Sequence, residues 1–201
     1  MNIKKRLIFF FSNSLFKNAY YLAANSIIGS LTGFIFWIIA ARLFSTEDIG
    51  LASTIISAIG LLALLSNFGF NISLIRFLPE LKDKSTTLIN SCSLVSVSVA
   101  FILSIIFLYG TDFLSPSLSS VKSSGLFAMI FVSFTMLMVL ASLHESVFVG
   151  FRKVDFSFRK MLIQNIIKIP LIFLFKAFGS LGIISAFGIA YLIATVVSVV
   201  I

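Results

Sequence analysis

The 201-residue chain is 59% hydrophobic and only 11% charged, where soluble domains carry about 25% charged residues. A fold in water would leave large apolar surfaces uncovered, and continuous runs such as LTGFIFWIIAA exclude the alternating strands of an outer-membrane barrel. The net charge of +8 raises nucleic acid as a partner, but its placement at the ends of apolar runs fits cytoplasmic-leaflet lipid instead, so no nucleic-acid partner is expected.

Residues 1–18, MNIKKRLIFFFSNSLFKN, begin basic, but the apolar run Leu7 to Phe11 is too short for a signal peptide. They read as a cytoplasmic amphipathic segment lying on the membrane surface. Residues 19–201 read as a six-span membrane lobe, with spans at approximately 19–41, 49–75, 86–110, 124–149, 161–178 and 181–201. Each is long enough to cross a hydrocarbon core of about 30 Å as helix.

The first span carries Ser26, Gly29, Ser30 and Gly33 on one face, and Gly29 to Gly33 is a GxxxG that predicts close helix packing. ARLFSTEDIG, residues 41–50, then concentrates three charges where the chain leaves the membrane. Ser45 suits an N-cap, with Glu47 and Asp48 in the first turn of the next helix, where the helix dipole favours anions. The second span is read as continuous through Asn67 and Asn71. The third is rich in serine, whose hydroxyls can bond their own helix carbonyls. The fourth ends near His144 and Glu145, and the fifth contains MLIQNIIKIPLIF, with Gln164 and Lys168 four apart and Pro170 beyond them. The sixth reaches Ile201 with no charged flank, which reads as an N-terminal lobe cut from, or awaiting, a second lobe.

Eleven of the fifteen cations fall at 4–17, 76–84 and 152–160, and these clusters alternate with loops holding one each. By the positive-inside rule the protein is multi-pass in the cytoplasmic membrane with its N-terminus cytoplasmic. Cys92 is the only cysteine and His144 the only histidine, so neither a disulfide nor a histidine-based metal centre is expected, and no cofactor is implied.

Charges inside spans need a reason. Lys168 is too deep in its span to snorkel easily and should face the bundle interior. Glu145 lies ~8 Å from the end of its helix and Lys168 ~10 Å from the same side when the fifth helix is counted from Met161. A Glu145–Lys168 ion pair, structural or coupling, is therefore expected, with Arg152 as a rival partner for Glu145. Lys168, Gln164, Arg152 and Asn25 are the candidate substrate-binding residues. Within the spans no paired carboxylates or His-centred nucleophile appear, so an enzyme is not expected.

The stretch AARLFSTEDIGLASTIISAIGLLALLSNFGFNISLIRFLPE, residues 40–80, resembles the start of Wzx-like polysaccharide-export flippases of the multidrug/oligosaccharidyl-lipid/polysaccharide exporter superfamily. The similar features are Arg42, Glu47 and Gly50, a Gly-Phe-Asn turn at 69–71, the exit Ile-Arg-Phe-Leu-Pro-Glu at 75–80, and VFVGFRKVDF at 147–156. The resemblance implies an all-α membrane protein whose six transmembrane helices form one lobe, the N-terminal half of a MATE-like two-lobe transporter. It implies export of lipid-linked oligosaccharide by alternating access. The partners would be membrane lipids, that substrate, and a second six-span lobe, either a missing C-terminal half or a dimer mate. A cation-coupled multidrug exporter of the same superfamily is the alternative, disfavoured because the deepest clear charge is a lysine. A non-transporting membrane scaffold is the third reading.

Overall fold

The computed structural model describes residues 14–81, 84–111 and 125–200; most of the N-terminal segment, including the cations at 4–6, lies outside them. Every element among the described residues is helical. In chain order they are α1 (Ser14–Leu43), α2 (Thr46–Ser66), α3 (Phe70–Phe77), α4 (Ser85–Tyr109), α5 (Gly125–Gly150), α6 (Val154–Leu174), a 3₁₀ turn (Lys176–Phe178) and α7 (Gly179–Val200). Five helices, α1, α2, α4, α5 and α7, are long and apolar enough to cross a membrane. The expected fifth span, 161–178, falls on α6, which begins earlier and ends at Leu174. It is long enough, but it carries Asp155, Arg159, Lys160 and Lys168, too many charges to read as a span by composition.

α5 is the hub, packing against α2, α3, α4, α6 and α7, while α1 rests mainly on α6. One apolar core joins Phe36 and Ala40 of α1 to Ile55 and Ile59 of α2, Phe131 and Phe134 of α5, Ile172 of α6 and Ile183 of α7. A second, around Leu74, Cys92, Ala100, Val139 and Leu143, binds α3, α4 and α5 together. The bundle has a basic end, where α3 and α5 finish and α6 begins, with Arg76, Arg152, Lys153 and Arg159 exposed.

At the opposite end, the charges of ARLFSTEDIG make a joint. The Ser45 hydroxyl accepts from the Asp48 backbone N–H at 3.1 Å and so caps α2. Asp48 in turn accepts the Ser45 hydroxyl at 2.7 Å and the Ser180 backbone N–H at 2.8 Å. A carboxylate in the first turn of α2 thereby satisfies an orphan donor in the first turn of α7. The fit demands glycine at 179, where φ is +56° and an added Cβ would lie 2.7 Å from the Asp48 carboxylate.

The apolar run 49–75 is two helices rather than one. Phe68 (φ 43°) and Gly69 (φ 77°) turn the chain through the left-handed region, and α3 restarts with the Phe70 N–H on the Asn67 carbonyl at 2.7 Å. The Asn67 side-chain amide holds the break, donating to the Ala63 carbonyl and to the Ser142 hydroxyl of α5, both at 2.9 Å. α3 then lies against the end of α5, where Gly150 permits an approach that would put an added Cβ 3.3 Å from the Leu74 carbonyl.

Candidate functional site: a polar cavity between α1, α5, α6 and α7

Helix α6 starts at Val154, a full two turns before the apolar run that suggested it. Ser157, Lys160, Gln164 and Lys168 therefore lie at successive spacings of three, four and four, one stripe along one helix face. Lys160, Gln164 and Lys168 line a cavity of about 560 Å³, whose other walls come from Asn25, Gly29 and Gly33 of α1, Asn71 of α3, Ser142 and Glu145 of α5, and Phe187 and Tyr191 of α7.

Lys168 is 3% exposed. Its ammonium donates to the Asn165 side-chain carbonyl at 2.9 Å and sits 4.9 Å from the ring centre of Phe36 and 4.8 Å from that of Phe187. Its neighbours are thus neutral: an amide and two aromatic faces. Cation–π contacts of about 0.5–2 kcal/mol offset only part of the several kcal/mol that removing an ammonium from water costs.

The expected Glu145–Lys168 pair is not what forms. Glu145 faces Lys160, with Oε2 3.7 Å from its ammonium, and Lys160 also donates to the Ala141 carbonyl at 2.7 Å. The other oxygen of Glu145 accepts the Ser157 hydroxyl and, at 3.4 Å, the Asn25 amide, which also reaches the Ser157 hydroxyl at 3.4 Å. The cause is helix length. Counted from Val154, Lys160 is ~9 Å along α6, level with Glu145, whereas Lys168 is ~21 Å along.

Of the four residues expected to bind substrate, Lys168, Gln164 and Asn25 line the cavity. Arg152 is not among them; it is exposed, in the α5–α6 turn at φ 58°. Lys160 was missed because it reads as loop charge, although its spacing to Gln164 and Lys168 was visible. The GxxxG also turns out differently: an added Cβ at Gly29 or Gly33 meets nothing within 4 Å. Gly29 and Gly33 line the cavity, while Ser26 and Ser30 are exposed outside it.

Two buried acceptors in the lining have no donor: Asn25 Oδ1 and Asn71 Oδ1. His144 Nδ1 is also buried without a partner, and among the described residues no group of three or more His, Cys, Asp or Glu side chains comes together to hold a metal.

Residues 15–201 match the family described as polysaccharide biosynthesis protein. No curated protein and no solved structure matches the chain.

Proposed function

The chain belongs to the polysaccharide biosynthesis protein family, that of the Wzx-like flippases, and we propose that it moves lipid-linked oligosaccharide across the cytoplasmic membrane by alternating access. The observation that carries this reading is Lys168, a buried ammonium at the wall of a 560 Å³ cavity with no carboxylate partner among the described residues. A diphosphate is the counter-ion such a group lacks. Lys160 is already engaged by Glu145, so the cavity, with two lysines and one glutamate, keeps one positive charge for substrate. That sign also argues against a cation-exporting multidrug transporter, which would need an unpaired carboxylate.

In this account α6 also crosses the membrane, as the fifth of six spans, tolerated because its charged stripe faces the cavity instead of lipid. The basic end lies in the cytoplasm. The anionic head enters from that end, while the lipid chain stays in the bilayer. A second six-span lobe, from the same chain or another copy, would close the other side and rock against this one.

The test is transport in sealed vesicles carrying the purified protein. Translocation of a short-chain prenyl-diphosphate sugar should depend on the protein and saturate. Lys168→Gln should insert normally and lose most of the rate. A Lys168→Gln protein as fast as wild type would remove the basis of the proposal.

A further inference from the structure

The cavity is chemically two-sided. α6 supplies donors, the Lys168 ammonium above all. The wall built from α1 and α3 presents the reverse: the amide oxygens of Asn25 and Asn71 are buried, in the lining, and accept nothing. The orientation of Asn25 is settled by its nitrogen, which donates to Glu145 and Ser157, so its oxygen cannot simply be exchanged for a donor. Behind Asn71, Asn67 repeats the pattern, with its nitrogen spent on Ala63 and Ser142 and its oxygen unpaired. Buried acceptors without donors are costly and call for a partner that donates.

Neutral carbonyl oxygens are satisfied by O–H or N–H donors or by metal cations. A hard cation prefers several oxygen ligands, carboxylates among them. Among the described residues Glu145 is the only carboxylate in the lining, and it is already taken by Lys160, Ser157 and Asn25. Hydroxyls need no such charge. Between Asn25 and the far end of the α1 wall, Gly29 and Gly33 leave the surface bare, with open space where side chains would stand. Bare glycine surface on α1, acceptors on α1 and α3, and donors on α6 together fit a rigid ring that carries several hydroxyls and is joined to an anion.

Building on the transport reading above, we propose that Asn71 and Asn25 bind hydroxyls of the first sugar of the lipid-linked substrate while Lys168 holds its diphosphate, so that the α1–α3 wall determines which sugar is accepted. Asn71 is the cleaner probe, because Asn25 is tied into the Glu145 cluster.

The experiment measures binding of two probes to the full chain in detergent: a short-chain prenyl diphosphate, and the same molecule bearing one hexose. Trp37, 5.7 Å from Phe36, supplies a fluorescence signal, with calorimetry as a second readout. Asn71→Leu should weaken the glycosylated probe about tenfold or more and leave the bare diphosphate within about twofold. Asn71→Gln, which keeps an acceptor, should recover much of the loss. Lys168→Gln should weaken both probes. Retained binding of the bare diphosphate also shows that Asn71→Leu is folded. Equal loss for both probes, or no loss for either, overturns the proposal. So does sodium-dependent binding of the bare diphosphate that Asn71→Leu abolishes, which would make this wall a cation site. A wild-type protein that binds neither probe would defeat the transport reading itself.

Discussion

Replacing Gly33 by leucine separates two accounts of α1. If Gly29 and Gly33 were a helix-packing face, a leucine would force neighbours apart, at a cost of about 1–3 kcal/mol. In the structure the Cβ at either position meets nothing within 4 Å, so the steric cost is near zero. Glycine in a helix interior is about 0.8–1 kcal/mol less favourable than alanine, and leucine ranks close to alanine. The substitution should therefore leave stability unchanged or raise it by up to about 0.8 kcal/mol. Its four side-chain carbons would project into the cavity beside Lys168 and obstruct whatever enters. Thermal unfolding of the detergent-solubilised protein, run beside vesicle transport, reads both effects. A stable Gly33→Leu protein with little transport is expected. Loss of more than about 1 kcal/mol with transport intact would refute the assignment of this face to the cavity.

Asp48→Ala removes the acceptor shared by Ser45 and Ser180 and should cost about 1–2 kcal/mol, seen as a lower unfolding midpoint; an unchanged midpoint would mean that the joint contributes nothing. Lys160→Met should destabilise by about 1 kcal/mol, because Glu145, whose side chain is 37% exposed, loses its cation; Glu145→Gln in the same protein should restore much of this, and strict additivity would show that the two are uncoupled. In a Cys92→Ser background, a cysteine at Ser45 should react with impermeant thiol reagent outside intact cells and one at Lys84 should not; the reverse pattern would invert the proposed orientation.

The helical, membrane-embedded character was legible because it depends on long uncharged runs, which hydropathy reads directly. The Ser45 cap was legible for the same kind of reason: capping is local chemistry, and its partner Asp48 is three residues away. What escaped was set by tertiary contact. The break at Asn67–Gly69 sits inside an apolar run that hydropathy reads as one span; the resemblance marks a Gly-Phe-Asn turn at 69–71, but the Asn67 bond to Ser142, 75 residues away, leaves no local mark. The start of α6 was placed at the edge of the apolar stretch, although a helix that faces a polar cavity can carry Arg159 and Lys160 well inside its length. That displacement of two turns alone moved the expected ion pair from Lys160 to Lys168. Gly29 and Gly33 illustrate a further ambiguity: a small-residue face looks the same in sequence whether it meets a helix or an open cavity.

The central claim is that an anionic lipid-linked saccharide occupies the cavity beside Lys168. It is tested most directly by photolabelling the protein in native membranes with a prenyl-diphosphate sugar that carries a photoreactive group on the sugar, and then mapping the modified residues. The account predicts adducts on the cavity faces of α1, α3 and α6, near Asn25, Asn71 and Gln164, competed by unlabelled substrate and lost in Lys168→Gln. Labelling confined to exposed apolar positions such as Ile27, Leu94 or Phe173, and indifferent to Lys168, would contradict it.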